Sequence, residues 1–286
     1  MAVTGTTDLN GDPSATAARI PRRRWRPRPA VARALLGSQY ALMLEYRAEI
    51  ALWALSGLLP FIMLALWSQA PAGAALGLGG AQLSHYFLGA YLVRQFSVVW
   101  VVFAFEEDAL LGRLSPYLLQ PLHPLWRYVA AHLAEQLTRL PFAAAIAAVF
   151  FVVNPGSFWL PTPGAFLLAW LATLLAFTIS FLLQSLIAAL CFWSEKASAL
   201  ERLLFVPYLF LSGLLAPLAA FPEPLRSWAW RTPFPYLIDF PARLLAGLPV
   251  PLAAGFAGQL LWIALLLPLA LLLWRAGVRR YTAMGA

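Results

Sequence analysis

Apolar runs of about twenty residues recur along this chain, with the charges gathered between them. Twenty helical residues at about 1.5 Å each cover roughly 30 Å, one hydrocarbon core of a bilayer. Of the 286 residues, 62% are hydrophobic and 11% charged, against about 25% charged in a soluble domain. In lipid, helices are one of the two structures that pair their own backbone groups while crossing. The fold class expected is therefore all-α: a polytopic membrane protein with six transmembrane helices, an N-terminal interfacial helix and an outer re-entrant helical region. The spans are predicted near 50–70, 84–105, 131–153, 164–193, 203–220 and 252–274.

The segments outside the spans have distinct characters. Residues 1–30 begin small and polar and end in a run alternating Arg with Pro, a disordered basic tail with no visible cleavable signal peptide. That run suits anionic headgroups and equally suits simple retention of the N-terminus in the cytoplasm. Residues 31–49 mix Arg33, Gln39, Glu45, Arg47 and Glu49 with Leu35, Leu36, Leu42, Met43 and Tyr46. This pattern fits a helix lying in the membrane interface. Residues 221–251 carry too much Pro and charge to span, but Trp228, Trp230 and Tyr236 suit short helices dipping into the outer interface. Residues 281–286 are a C-terminal tail. The single Cys191 excludes an internal disulfide and any Cys-based metal cluster.

Orientation follows from the cations. With six spans and the N-terminus inside, sixteen of the 20 Lys and Arg residues fall on the inner side and three on the outer, with Arg94 within a span. This asymmetry predicts both termini in the cytoplasm, in a cytoplasmic (inner) membrane. The formal net charge of +8 is thus explained by membrane topology rather than nucleic-acid binding.

The segment 106–128, between spans two and three, is predicted to be cytoplasmic and is denser in features than a passive loop requires. Glu106, Glu107 and Asp108 close span two, and Leu110, Leu114 and Leu118 recur at helical spacing. Ser115-Pro116 reads as a helix restart, with Ser as N-cap and Pro at the first helical position. Pro121 and Pro124 then end the helix. A docking element for another protein and a helix that only joins two spans both fit. Arg94, deep in span two, is costly unless it faces protein or water; contact with a substrate and pairing with a neighbouring helix both fit. His132, Glu135 and Arg139 share one face of span three, and Glu135 and Arg139 are spaced to pair. Thr173, Thr178, Ser180, Gln184 and Ser185 of span four are candidates for interhelical hydrogen bonds.

Several chemistries lack their residues. No zinc-binding His pattern, nucleophile elbow or phosphate-binding P-loop occurs. The chain is read as a non-enzyme with no cofactor, no catalytic residue and no metal site. No carboxylate sits mid-span, which counts against an ion-driven carrier.

Three segments together resemble the permease subunits of type-2 ABC exporters, in their short six-span branch. The first is E-D-A-L-L-G-R-L-S-P-Y-L-L-Q-P-L-H-P after span two, although Leu111 precedes Gly112 where the branch has an acidic or polar residue. The second is L-S-G-x-x-x-P-x-x-x-F-P, present as Leu211, Ser212, Gly213, Pro217, Phe221 and Pro222. The third is Pro233-Phe234 with Pro241. The likeness covers about residues 30–280. It implies a permease that exports a small amphipathic or hydrophobic molecule, paired with an identical or paralogous chain. It also implies a separately encoded ATP-binding subunit that docks on a coupling helix. The docking residues would be Glu106, Glu107, Asp108, Leu110, Arg113, Leu114, Ser115, Pro116 and Leu118. Leu211, Ser212, Gly213, Pro217, Phe221 and Pro222 would form an outer gate, unless the small residues there serve close helix packing. Spans two and five would line the path, with Arg94 a possible pathway residue. Membrane lipids are partners and nucleic acid is not. A transporter or channel working without an ATPase is the alternative class.

Overall fold

The computed structural model describes residues 28–69, 78–194 and 196–281. Most of the basic N-terminal tail, residues 70–77, Glu195 and the last five residues lie outside this description. Among the described residues, five helical segments are long and apolar enough to cross a membrane: Ala48–Gln69, Gly80–Leu110, Leu125–Val153, Pro163–Phe192 and Leu252–Arg280. The chain is a multi-pass helical membrane protein.

Helix α1 (Pro29–Glu45) starts with Pro in its first turn and buries no residue. It packs along the later helix Leu125–Val153. The first span is interrupted: α2 (Arg47–Ser56) and α3 (Leu59–Gln69) are separated at Gly57-Leu58. The second span is interrupted as well. Helix α4 (Gly80–Ser97) stops, Val98 turns extended with ψ 136°, and α5 (Val101–Leu110) resumes.

A break inside a span exposes backbone groups that lipid cannot pair, each costing several kcal/mol or roughly that if left alone. Here side chains of other helices supply the partners. The amide of Trp100 donates to His132 Nε2 at 2.8 Å. The amide of Val102 donates to Gln184 Oε1 at 3.3 Å, and Gln136 Nε2 donates to the Phe96 carbonyl at 2.6 Å. His132 Nδ1 lies 2.7 Å from the Tyr128 carbonyl. Nδ1 therefore carries the ring proton and Nε2 is free to accept.

A short helix α6 (Leu114–Leu119) follows, then α7 (Leu125–Val153) and α8 (Pro163–Ala189). Helix α8 begins in the manner Thr-Pro favours: Thr162 Oγ1 accepts from the Ala165 amide at 3.3 Å, and Pro163 opens the first turn. Helix α9 (Ser198–Leu211) is 14 residues long, about 21 Å by helical rise, and too short to cross alone. The chain ends in α10 (Glu223–Ala229), α11 (Asp239–Leu245) and α12 (Leu252–Arg280).

Two sequence expectations are corrected. The fifth span, expected at 203–220, is helical from Ser198 and only as far as Leu211. Beyond it Gly213 adopts φ 92°, which removes the chain from the helix at a position where other residues would be strained. The restart near Ser115-Pro116 also lies elsewhere. Gly112 takes φ 70°, Arg113 is the N-cap and offers no side-chain cap, so Ser115 and Pro116 sit inside the new helix. Leu110, Leu114 and Leu118 consequently do not form one helical stripe.

The main apolar cluster lies between α4, α8, α11 and α12, with Phe87, Ile179, Ile238 and Leu266 among its members. A second cluster at the α6 end gathers Phe105, Leu114, Tyr128 and Trp274. Replacing His132 with Ala removes the partner of the Trp100 amide. It should destabilise the folded protein by about 1–3 kcal/mol and lower its thermal midpoint in detergent, while an unchanged midpoint would show that the break is satisfied otherwise.

Candidate functional site

Three groups of polar residues are set into the apolar bundle: one at the end carrying α6, one in the middle, and one at the opposite end beside α11.

At the α6 end, the acids that close α5 reach the start of α9, α7 and the Arg113 cap of α6. Glu106 accepts from both the amide and the hydroxyl of Ser198, at 2.8 and 3.1 Å. It thereby satisfies orphan donors at the start of α9 and places negative charge at that helix's positive end. Asp108 accepts from the Tyr128 hydroxyl of α7 at 2.8 Å. It also takes the Arg113 guanidinium at 2.9 Å, while Glu107 takes it at 2.6 Å. Ser115 Oγ lies 3.2 Å from the Tyr281 hydroxyl just past α12. The rings of His123 and Trp274 lie 4.8 Å apart, and Arg127 sits 4.1 Å from the centre of the Tyr117 ring. The element 106–128 is thus joined to α7, α9 and α12.

Its leucines divide. Leu114, with 0% exposure, lies inside the chain's own core. Leu110 and Leu111 are 44% and 62% exposed and Leu119 is 88% exposed. Glu107, Arg113 and Pro116 are also exposed, whereas Glu106, Asp108, Ser115 and Leu118 are half-buried.

In the middle, a cavity of about 100 Å³ opens between the break in the second span, α8 and α9. Its lining includes Arg94, Val98, Trp100, Gln184, Glu201 and Tyr208, and reaches Phe234 and Leu237 near α11. The break therefore forms part of its wall. Gln184 is shared between the two: its oxygen accepts from Val102 and its nitrogen donates to Glu201 Oε1 at 3.4 Å.

At the opposite end, Asp239 has 0% exposure and organises the irregular segment after α9. Its amide donates to the Ser212 carbonyl at 2.8 Å, and its Oδ1 accepts from the Leu218 amide at 3.1 Å. The Tyr86 hydroxyl of α4 lies 2.8 Å from both the Gly213 carbonyl and Asp239 Oδ1. The phenol donates, and it faces these two acceptors at once, so Tyr86 ties α4 to both the Gly213 turn and Asp239. Burial pushes the Asp239 carboxyl above the ordinary range, opposed by the Arg243 charge, the Leu218 amide and Tyr86. Trp67 of α3 adds a further tie, donating to the Leu215 carbonyl at 2.9 Å.

Of the residues expected at an outer gate, Ser212, Gly213 and Pro217 are buried around this carboxyl. Leu211 and Phe221 pack in a small cluster with Leu218 and Ala229, and Pro222 is exposed. Asp239 and Tyr86 were not singled out by sequence reasoning. The available signal was a lone acid within the apolar, Pro-rich stretch 232–242. Arg139 pairs with Glu135 as their spacing implied. Among the described residues no cluster of His, Cys, Asp and Glu is arranged to hold a metal ion.

The chain is a helical, multi-pass bundle with interrupted spans and a cavity beside the second interruption. Residues 84–285 match the sequence family described as ABC-2 family transporter protein, and the chain belongs to that family. It is a permease component of an ABC transporter, and membership implies partnership with an ATP-binding subunit. No curated protein and no solved structure matches it.

Two variants test the Asp239 cluster. A carboxyl raised in the fold contributes most to stability below its unfolded value of roughly 4, and that contribution is lost as pH rises through the raised value. Thermal midpoints measured upward from about pH 4.5 should therefore fall with pH in the native chain, and Asp239→Asn should flatten that dependence. Gly213→Ala should cost at least about 1–2 kcal/mol, because L-residues avoid this conformation and the new carbon would meet the Tyr86 hydroxyl oxygen at 2.5 Å.

Proposed function

We propose that this chain is the permease subunit of an ATP-driven exporter in the cytoplasmic membrane. It carries a small amphipathic or hydrophobic molecule outward, works as a pair of permease chains, and draws on ATP hydrolysed by a separate subunit. The α6 end and both termini face the cytoplasm, consistent with the distribution of Lys and Arg.

The observation that carries this reading is the construction of the α6 end. Leu110, Leu111 and Leu119 are exposed on an element whose reverse side is hydrogen-bonded to α7 and α9 and reaches Tyr281. Exposed leucines rimmed by Glu107 and Arg113 suit insertion into a partner's groove, with the charges setting register. Glu106, Asp108, Ser115 and Leu118 belong to the docking element through what they hold in place. Leu114 supports it from beneath.

The mechanism follows from the bonds. A displacement of α6 by the ATPase moves the start of α9 through Glu106 and Ser198, and the start of α7 through Asp108 and Tyr128. Helix α9 forms one wall of the Arg94 cavity and ends at Leu211, where the Asp239 cluster closes the outer side. A shift of α9 therefore alters the cavity and strains the closure at Ser212 and Gly213. Leu211, Ser212, Gly213, Pro217, Phe221 and Pro222 act as the outer gate in this scheme. Lipid contacts the remaining apolar faces, and a groove of about 680 Å³ lined by Leu92, Phe96, Ala147 and Trp170 suits acyl chains.

Co-purification of the tagged chain with its ATPase tests docking. Leu119→Asp and Leu111→Asp should each abolish recovery of the ATPase while leaving the permease folded, because both side chains point away from its core. Leu114→Ala should instead destabilise the permease by about 2–5 kcal/mol. Retention of the ATPase by both Asp variants would refute docking at this surface.

A further inference from the structure

The Arg94 cavity is lined by two charged side chains, Arg94 and Glu201, that are not paired with each other. Arg139, a buried arginine nearby, is paired with Glu135, whereas Arg94 is half-buried. The two guanidinium groups act on each other electrostatically. No carboxylate of the described residues lies within ion-pair distance of Arg94. Its Nε is sealed from solvent and has no hydrogen-bond partner. Tyr208 on α9, a neutral group, lines the same cavity, and its hydroxyl has no hydrogen-bond partner either. Glu201 lines the same cavity but is engaged by Gln184 at 3.4 Å, and the cation acting on it is the adjacent Arg202.

The surroundings are built around this cation. A β-carbon on Gly57 would lie 3.1 Å from Arg94 Nη1, so the guanidinium rests against the interruption of the first span. On the other side it lines the cavity formed by the interruption of the second. Leu183, Phe205 and Leu237 give that cavity an apolar side, beside the polar Ser180, Gln184, Glu201 and Tyr208. A charge held in apolar surroundings without a counter-ion is costly, and a bound anion removes that cost.

We infer that this cavity binds an amphiphile with one anionic group, a carboxylate, phosphate or sulfonate at Arg94, and an apolar body along Phe205, Leu183 and Leu237. The binding claim stands on the cavity itself. The further claim that the ligand is cargo rests on the permease reading above. Glu201 disfavours a second negative charge on the ligand.

The test uses two probes with the same apolar body and opposite charge, pyrenebutanoate and a pyrenylbutyl-trimethylammonium. Binding to the purified permease–ATPase complex in uncharged detergent is read as energy transfer from tryptophan, Trp100 lining the cavity. The native complex should bind the carboxylate roughly tenfold or more tightly than the ammonium. Arg94→Gln should abolish that preference, and Arg94→Lys should keep part of it. Equal binding, or preference for the cation, in the native complex would overturn the site without recourse to any variant. Glu201→Gln, which removes the nearby negative charge, should tighten carboxylate binding; unchanged or weaker binding would also count against the proposal. ATP-dependent uptake of pyrenebutanoate into inverted vesicles separates the two claims. Charge-selective binding without uptake argues against the permease reading and leaves the site standing. ATP-driven uptake of both probes alike overturns the anion site alone.

Discussion

A backbone amide has no water to turn to inside a bilayer, and the interruption of the second span at Val98 to Trp100 makes that constraint acute. The structure meets it with His132, Gln136 and Gln184, drawn from two other helices. Each of these contacts is local in space and distant in sequence. Together they hold α4 and α5 against α7 and α8, and they keep open the cavity that Arg94 lines. Without the interruption Gln184 would lose the Val102 amide, and the cavity would lose one wall. Unsatisfied backbone groups are thus the reason that polar residues collect in an otherwise apolar bundle.

The two ends of the bundle use carboxylates in opposite ways. Glu106 and Asp108 are partly exposed and act as hydrogen-bond acceptors joining α5 to α9 and α7. Asp239 is wholly enclosed and sits where burial disfavours its charge. The first arrangement tolerates motion, because water can replace a broken bond at the surface. The second does not, because the Tyr86 hydroxyl and the Leu218 amide would be left unpaired in a dry interior. A device that receives movement at one end and resists opening at the other is well served by this contrast. Helix α9 connects the two, beginning at the Glu106 bond and ending at the Asp239 cluster.

Much of the architecture was legible because it follows from solvent and length alone. The apolar runs near 131–153 and 252–274 lie within α7 and α12, that near 84–105 is divided between α4 and α5, and that near 164–193 runs a few residues past α8; the Glu135–Arg139 pair follows from helical spacing. The candidate site was legible only in outline. Leu110, Leu114 and Leu118 share a spacing, but Gly112 reverses the chain between them, so Leu114 enters the core and Leu110 does not. Ser115-Pro116 carries a capping signature, yet the turn is set by Gly112 and the serine hydroxyl is directed to Tyr281. Asp239 and Tyr86 stand 153 positions apart, and nothing in the local pattern of either announces the other.

The amino-acid sequence by itself determined that this chain lives in a membrane, that it crosses several times as helices, and which family it belongs to. These are consequences of composition, run length and motif order, all of which act locally along the chain. Tertiary structure alone decided where the spans break, which polar groups repair the breaks, which leucines stay exposed at the α6 end, and that Arg94 has no ion-pair partner among the described residues. The physical reason is that propensity and hydrophobicity act between neighbours in sequence. The pairing of a buried charge or a freed amide depends on whichever distant group the packed bundle brings within about 3 Å.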